Sequence, residues 1–181
     1  LYQPKAGSFH YLTYTPHKMV QLGLFEGMIW QRWDTAASKA FNPAMLAPVL
    51  GLNSLIYGLK DENNGVLGLT AKIRPHKSYV AYGQYLIDGS DKNGYQVGAK
   101  ATDAFGLKNL FLQAEYNHVN PYTYGHAKPL QNYSHYNQAL AHPLGAGFNE
   151  AVVIAQYRWR DVWVSAKLNL ANYQTATDGT N

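Results

Sequence analysis

Apolar and polar residues alternate with a period of two along much of this chain, the spacing of a β-strand whose two faces meet different surroundings. At 162–170, Val162, Val164, Ala166, Leu168 and Leu170 alternate with Trp163, Ser165, Lys167 and Asn169. At 95–102, Tyr95, Val97, Ala99 and Ala101 oppose Gln96, Gly98, Lys100 and Thr102. At 67–74, Leu67, Leu69, Ala71 and Ile73 oppose Gly68, Thr70, Lys72 and Arg74. At 110–117, Leu110, Leu112, Ala114 and Tyr116 oppose Phe111, Gln113, Glu115 and Asn117. Four less regular strands are predicted at about 8–15, 19–32, 78–88 and 149–159, with Glu26 interrupting the apolar face of the second.

Soluble β-sandwiches alternate too, so the connections carry more information. Short links at Pro16–Lys18, Pro75–Lys77, Gly106 and its neighbours, and Arg160–Asp161 alternate with longer ones at 33–63, 89–94 and 119–148. Compact soluble domains seldom hold loops of this length, whereas outer-membrane barrels join strands by short turns at one end and long loops at the other. The pattern predicts an all-β, antiparallel up-and-down transmembrane β-barrel segment of about eight strands, 1–181 forming one unit. A complete barrel of about eight strands has room inside only for side chains. Two long loops are generous for that, and a section of a larger barrel is expected.

Composition sharpens this picture. The chain has 15 tyrosines and 16 glycines, and only 14% of its residues are charged. Tyr14, Tyr79, Trp159 and Trp163 fall beside the tight turns, and Trp30, Tyr85, Tyr95, Tyr116 and Tyr173 at the opposite strand ends. Two membrane interfaces would select such rows of amphipathic rings. The minority polar positions, Lys72, Gln96, Lys100, Gln113, Glu115, Lys167 and Asn169, would then line the lumen. The net charge of +4 is spread along the chain, without the basic patch that nucleic-acid binding requires. There is no cysteine. No apolar run is long enough for a transmembrane helix. Residues 1–14 lack the basic start and apolar block of a signal peptide, so a mature or internal segment is expected.

Several stretches resemble one family as an ordered set. They include Gly23-Leu24-Phe25-Glu26, Phe41-Asn42-Pro43 before Pro48-Val49, Asn63-Asn64 before Leu67-Gly68-Leu69, Tyr82-Gly83-Gln84 before Asp88, and Asp103-Ala104-Phe105-Gly106. The strongest are Gln113-Ala114-Glu115-Tyr116-Asn117, Asn120-Pro121-Tyr122-Thr123-Tyr124, and the run from Asn132-Tyr133-Ser134-His135-Tyr136 to His142-Pro143-Leu144-Gly145. This series resembles the Wzi-like capsule-assembly outer-membrane proteins, in the Bacteroidetes form often labelled gliding-motility RemB-like. The resemblance implies a barrel of about 18 strands in the bacterial outer membrane. It further implies no enzymatic activity, no cofactor, and a lectin-like role in anchoring surface polysaccharide. On this resemblance the chain is expected to cover a middle portion of such a protein.

The 119–148 loop is the richest candidate site. Tyr122, Tyr124, Asn132, Tyr133, His135, Tyr136, Asn137, Gln138 and His142 combine aromatic faces with amide and imidazole groups, the two classes that bind sugar C–H surfaces and hydroxyls. The simpler reading is a loop whose polar groups satisfy its own backbone. Spacings among His118, His126, His135 and His142 match no compact metal-ligand pattern. Glu26 and Glu115 could pair with Asp88 or Asp103, but no hydrolase, phosphate-loop or zinc-protease motif accompanies them. In the 33–63 loop, Ala36–Ala40 and Ala44–Leu50 are expected to form short helices, and its apolar residues to fold inward. Expected partners are outer-membrane lipid and surface polysaccharide. A channel with Lys72, Lys100 and Lys167 in its lumen, or a scaffold binding proteins of the surface machinery, are the alternatives.

Overall fold

The structure is a computed structural model that describes residues 5–34, 37–38, 50, 63–89, 92–136 and 138–174. Eight long strands form one antiparallel sheet: β1 (Lys5–His17), β2 (Val20–Gln31), β5 (Asn64–His76), β6 (Tyr79–Ile87), β7 (Asn93–Thr102), β8 (Leu110–Val119), β11 (Phe148–Trp159) and β12 (Val162–Tyr173). Each strand pairs with its neighbours in chain order, and β1 and β12 form the edges of an open sheet. Four short strands pair as two ribbons inside the long connections: β3 (Trp33–Asp34) with β4 (Ala37–Ser38), and β9 (Ser134–His135) with β10 (Gln138–Ala139). Ala37–Ser38 are therefore extended and paired, where a helix over Ala36–Ala40 was expected. The second expected helix and most of the 33–63 loop lie outside the described residues.

The predicted strands are all present, most extended at one or both ends. Alternation fades at strand ends, where the surroundings stop being two-sided, and the pattern loses its reach there. Tight turns gather at one end of the sheet and the longer connections at the other, as the loop lengths implied.

Two of the turns are built alike from the triplets Pro16-His17-Lys18 and Pro75-His76-Lys77. In each, the histidine Nδ1 accepts the backbone N–H two residues on, at 3.2 Å. The ladder register slips between Tyr14 and His17 and between Ile73 and His76, at the prolines. Proline has no N–H to give the ladder, so it is tolerated where a bulge has already broken the pairing.

Cross-strand partners place side chains on a common face. One face carries Val20, Leu22, Leu24, Leu69, Ile73, Val97, Ala99, Leu112, Val153, Val164 and Leu168, in register across all the central strands. Many of these side chains are exposed, among them Leu69, Val97, Val153 and Val164. Tyr85, Tyr95 and Tyr116 bound this face on the loop side, with Tyr95 and Tyr116 rings 6.1 Å apart. Tyr14, Tyr79, Tyr157 and Trp159 bound it on the turn side. Trp163 departs from the expected row: it pairs with Arg158 on the other face, its ring 5.7 Å from that guanidinium.

The other face is polar over most of its length. Glycines there admit rings from neighbouring strands: a methyl on Gly68 would overlap the Phe25 ring, and one on Gly98 would overlap Tyr82. Towards the loop end this face turns apolar. Ile29, Val66 and Leu86 are buried there with Tyr133, and Phe25 and Tyr124 pack against them.

Candidate functional site

The 119–148 loop closes over the loop end of the polar face, with Tyr133 the most deeply buried of its tyrosines. Tyr133 is 5% exposed, packed among Ile29, Val66 and Leu86. Its ring meets Phe9 edge-on at 6.4 Å and Tyr124 at 6.1 Å, and its hydroxyl donates to the Asn64 carbonyl at 3.3 Å. Asn64, at the start of β5, donates from its side-chain amide to the carbonyls of Tyr124 (3.1 Å) and Gln131 (2.9 Å). Lys5 donates to the carbonyls of Asn132 (2.9 Å) and Ser134. Lys92 donates to the carbonyl of Gly125 at 3.0 Å. Irregular backbone laid on an apolar patch needs such partners, because unpaired buried carbonyls are costly.

Asp88 completes the clamp. It is 6% exposed, and its carboxylate accepts the Tyr124 N–H at 2.6 Å. Burial pushes its carboxyl up to about 6, against the opposing pull of the Tyr124 N–H and the Lys92 charge. Burial and the charge of Asp88 raise Tyr124 to about 12, so its phenol stays protonated. Because the folded carboxyl holds its proton more tightly than the unfolded one, its contribution to stability is present in full below about pH 4. That contribution is lost as the pH rises through about 6. Hydrogen exchange of the Tyr124 and Tyr133 amides should be slower at pH 5 than at pH 7.5, after correction for intrinsic rates. Asp88→Asn should flatten that difference, and an unchanged difference in the variant would assign the effect to another group.

A polar network runs beneath the loop. Glu115 accepts from Tyr82 (2.5 Å), Gln96 (3.0 Å), Asn117 (3.1 Å) and Gln113 (3.3 Å). Glu150 accepts from Asn169 (2.7 Å) and Asn117 (2.8 Å), and His142 Nε2 lies 3.3 Å from it. Asn117 thus bridges two carboxylates whose oxygens all have donors. The expected lumen set of Lys72, Gln96, Lys100, Gln113, Glu115, Lys167 and Asn169 shares this one face. Tyr82, Asn117 and Glu150 complete it. Alternation placed Asn117 on the polar side of its strand, but the less regular strands of Tyr82 and Glu150 gave no face, and nothing in the spacing showed that the three converge.

The proposed carboxylate pairings do not occur among the described residues. Glu26 lies on the opposite face from Glu115, with His10 Nδ1 at 3.0 Å. Asp103 caps its own turn, accepting the Asn109 N–H at 2.7 Å. The histidines disperse as well. His118 sits between the side-chain amides of Asn149 (2.6 Å) and Asn120 (2.9 Å), His126 accepts the Lys128 N–H, and the His142 ring stacks on Phe148 at 4.5 Å. No group of three potential metal ligands forms among the described residues.

The loop candidates divide into two sets. Tyr124, Asn132, Tyr133 and His142 hold the loop in place; Asn132 does so through its side-chain oxygen, which accepts the His126 N–H at 2.7 Å. Tyr122, His135, Tyr136 and Gln138 are exposed, and the Tyr136 and His135 rings meet edge-on at 4.3 Å. Asn137 lies outside the described residues. Tyr122, Tyr124 and Tyr136 all have left-handed backbone (φ 62°, 71° and 48°). Bulky residues seldom adopt that conformation, and such strain concentrates at binding sites. Between loop and sheet lies a cavity of about 220 Å³, lined by Gln84, Leu86, Gln96, Asn117, Tyr124 and His142. Comparison with family profiles, curated proteins and solved structures found no match.

Proposed function

We propose that this chain is part of the wall of a bacterial outer-membrane β-barrel that holds surface polysaccharide without enzymatic chemistry. The observation that carries the membrane reading is the exposed apolar face, continuous across the sheet and bounded at both ends by aromatic rings. Water would penalise so large an apolar surface, while lipid accepts it. The open edges β1 and β12 fit a wall section flanked by further strands. The polar face then looks into the lumen, with the 119–148 loop across its mouth. The series of motifs resembling the Wzi-like proteins supports the capsule role, in the gliding-motility branch or beside it.

For the glycan, the exposed rings of Tyr122 and Tyr136 offer stacking surfaces, with His135 and Gln138 as hydrogen-bonding groups. The amide-lined cavity behind them adds donors and acceptors without a free charge. The full-length protein in detergent should bind its own cells' surface polysaccharide. Replacing both Tyr122 and Tyr136 by alanine should weaken that binding about tenfold or more, a loss usual for exposed aromatic anchors. Retained affinity would remove these residues from the site.

The lysines on the polar face, Lys72, Lys100 and Lys167, favour a second reading as an anion-preferring channel. Single-channel conductance in planar bilayers separates the two, since a non-conducting barrel excludes the open pore.

A further inference from the structure

Basic side chains crowd the tight-turn end of the sheet, where Asp103 and Asp161 are the carboxylates among the described residues. Several of these cations are already engaged. Arg158 and Arg160 lie 5.7 and 5.5 Å from the rings of Trp163 and Trp159, and Lys100 lies 5.2 Å from that of Tyr82. Asp103 is committed to its turn. Lys18, Lys72 and Arg74 differ, because no carboxylate pairs with them among the described residues.

These three border one pocket of about 180 Å³, together with Thr15 and Gln21. Its frame is well set. Lys72 is the ladder partner of Gln21, so both project from the polar face, and Arg74 follows two residues on. The Arg74 N–H donates to the Met19 carbonyl at 2.7 Å, which ties the β1–β2 turn carrying Lys18 to β5. Three basic residues line this space with no carboxylate among its lining residues, so their charge favours an anion there.

From this arrangement we infer that the pocket of Lys18, Lys72 and Arg74 is a binding site for a phosphate group. An arginine fork matches two oxygens of a tetrahedral oxyanion, lysines supply point charges, and the Thr15 hydroxyl and Gln21 amide add neutral donors. A carboxylate would use fewer of these donors. The phosphate could be carried by a soluble ester reaching the polar face or by a lipid headgroup bending around the turn. Both present the same charged oxygens. The site lies at the opposite end of the sheet from the 119–148 loop and does not depend on the glycan reading.

The test has two arms, both on the full-length protein in uncharged detergent at low salt. Inorganic phosphate is titrated calorimetrically in one. In the other, mixed micelles containing phosphatidylglycerol are compared with micelles containing phosphatidylcholine. Binding in either arm should fall about tenfold or more in the Lys72→Gln/Arg74→Gln variant, and less than about twofold in Lys108→Gln, a cation in a different turn. Phosphate binding alone assigns a soluble ester, and phosphatidylglycerol binding alone assigns a headgroup. Absence of binding in both arms overturns the proposal, as does full binding by the double variant. An equal loss in Lys108→Gln overturns it too, since the attraction would then be diffuse. If the double variant does not reach the strand content of the parent by circular dichroism, Lys18→Gln is read alone. A loss of about threefold supports the site, and no loss overturns it.

Discussion

On the proposed barrel reading, arginine in place of Val153 should destabilise the protein by about 2–4 kcal/mol in a bilayer, the cost of a cation on a lipid face near the midplane. Val153 is the position to choose because β11 is a central strand and Val153 lies well inside it. Ala114 and Leu168 are its ladder partners on either side, and all three belong to the apolar face. The side chain is 47% exposed. At an exposed site in water, such a change usually moves stability by no more than about 0.5 kcal/mol. The two surroundings therefore predict different sizes of effect for one substitution. Ser165→Arg, on the polar face of β12, serves as the control and should stay within about 0.5 kcal/mol. Equilibrium unfolding from vesicles by denaturant measures both. A Val153→Arg cost as small as that of Ser165→Arg would place the apolar face somewhere other than lipid.

Truncating Tyr133 to alanine should release the 119–148 loop. The ring is buried with Ile29, Val66 and Leu86, and removing a buried aromatic typically costs about 3–5 kcal/mol. The eight-stranded sheet has its own ladders and does not depend on this ring, so the loss should be local. Amides of the loop should exchange rapidly, and a protease should cut within it, while the strands stay protected. Tyr133→Phe should be far milder. It keeps the ring contacts and gives up the hydroxyl bond to Asn64, a change of about 0.5–1.5 kcal/mol. Uniform loss of protection across loop and sheet in Tyr133→Ala would show that the two unfold as one unit. Such a result would remove the distinction between anchor and exposed residues drawn above.

The strands were legible because a half-polar sheet imposes a period of two that survives in a single sequence. Lys72, Lys100, Gln113, Glu115 and Lys167 could all be placed on one face from spacing, and the register puts them there. Trp163 shows the limit. Its place beside a tight turn suggested the same row as Trp159, yet Arg160 and Asp161 form the turn between Trp159 and Val162. Trp163 therefore opposes Arg158 and falls on the other face. The short ribbons β3–β4 and β9–β10 were illegible, because two-residue strands leave no periodicity to read.

Within the loop the sequence could assign a class of chemistry but not its distribution. Tyr133 and Tyr136 stand three residues apart in a run of similar composition, and one is 5% exposed while the other is 77% exposed. Nothing local separates them. Their difference arises from Phe9, Asn64, Val66 and Leu86, which reach the loop from β1, β5 and β6. The alternation of residues along each strand determined the strands and their two unlike faces, because those depend on neighbours two positions away, and the lengths of the connections determined the end at which the turns gather. Which tyrosine anchors, which carboxylates share Asn117 and which cations are left facing one another were decided by tertiary structure alone, since each depends on contacts between residues far apart in the chain.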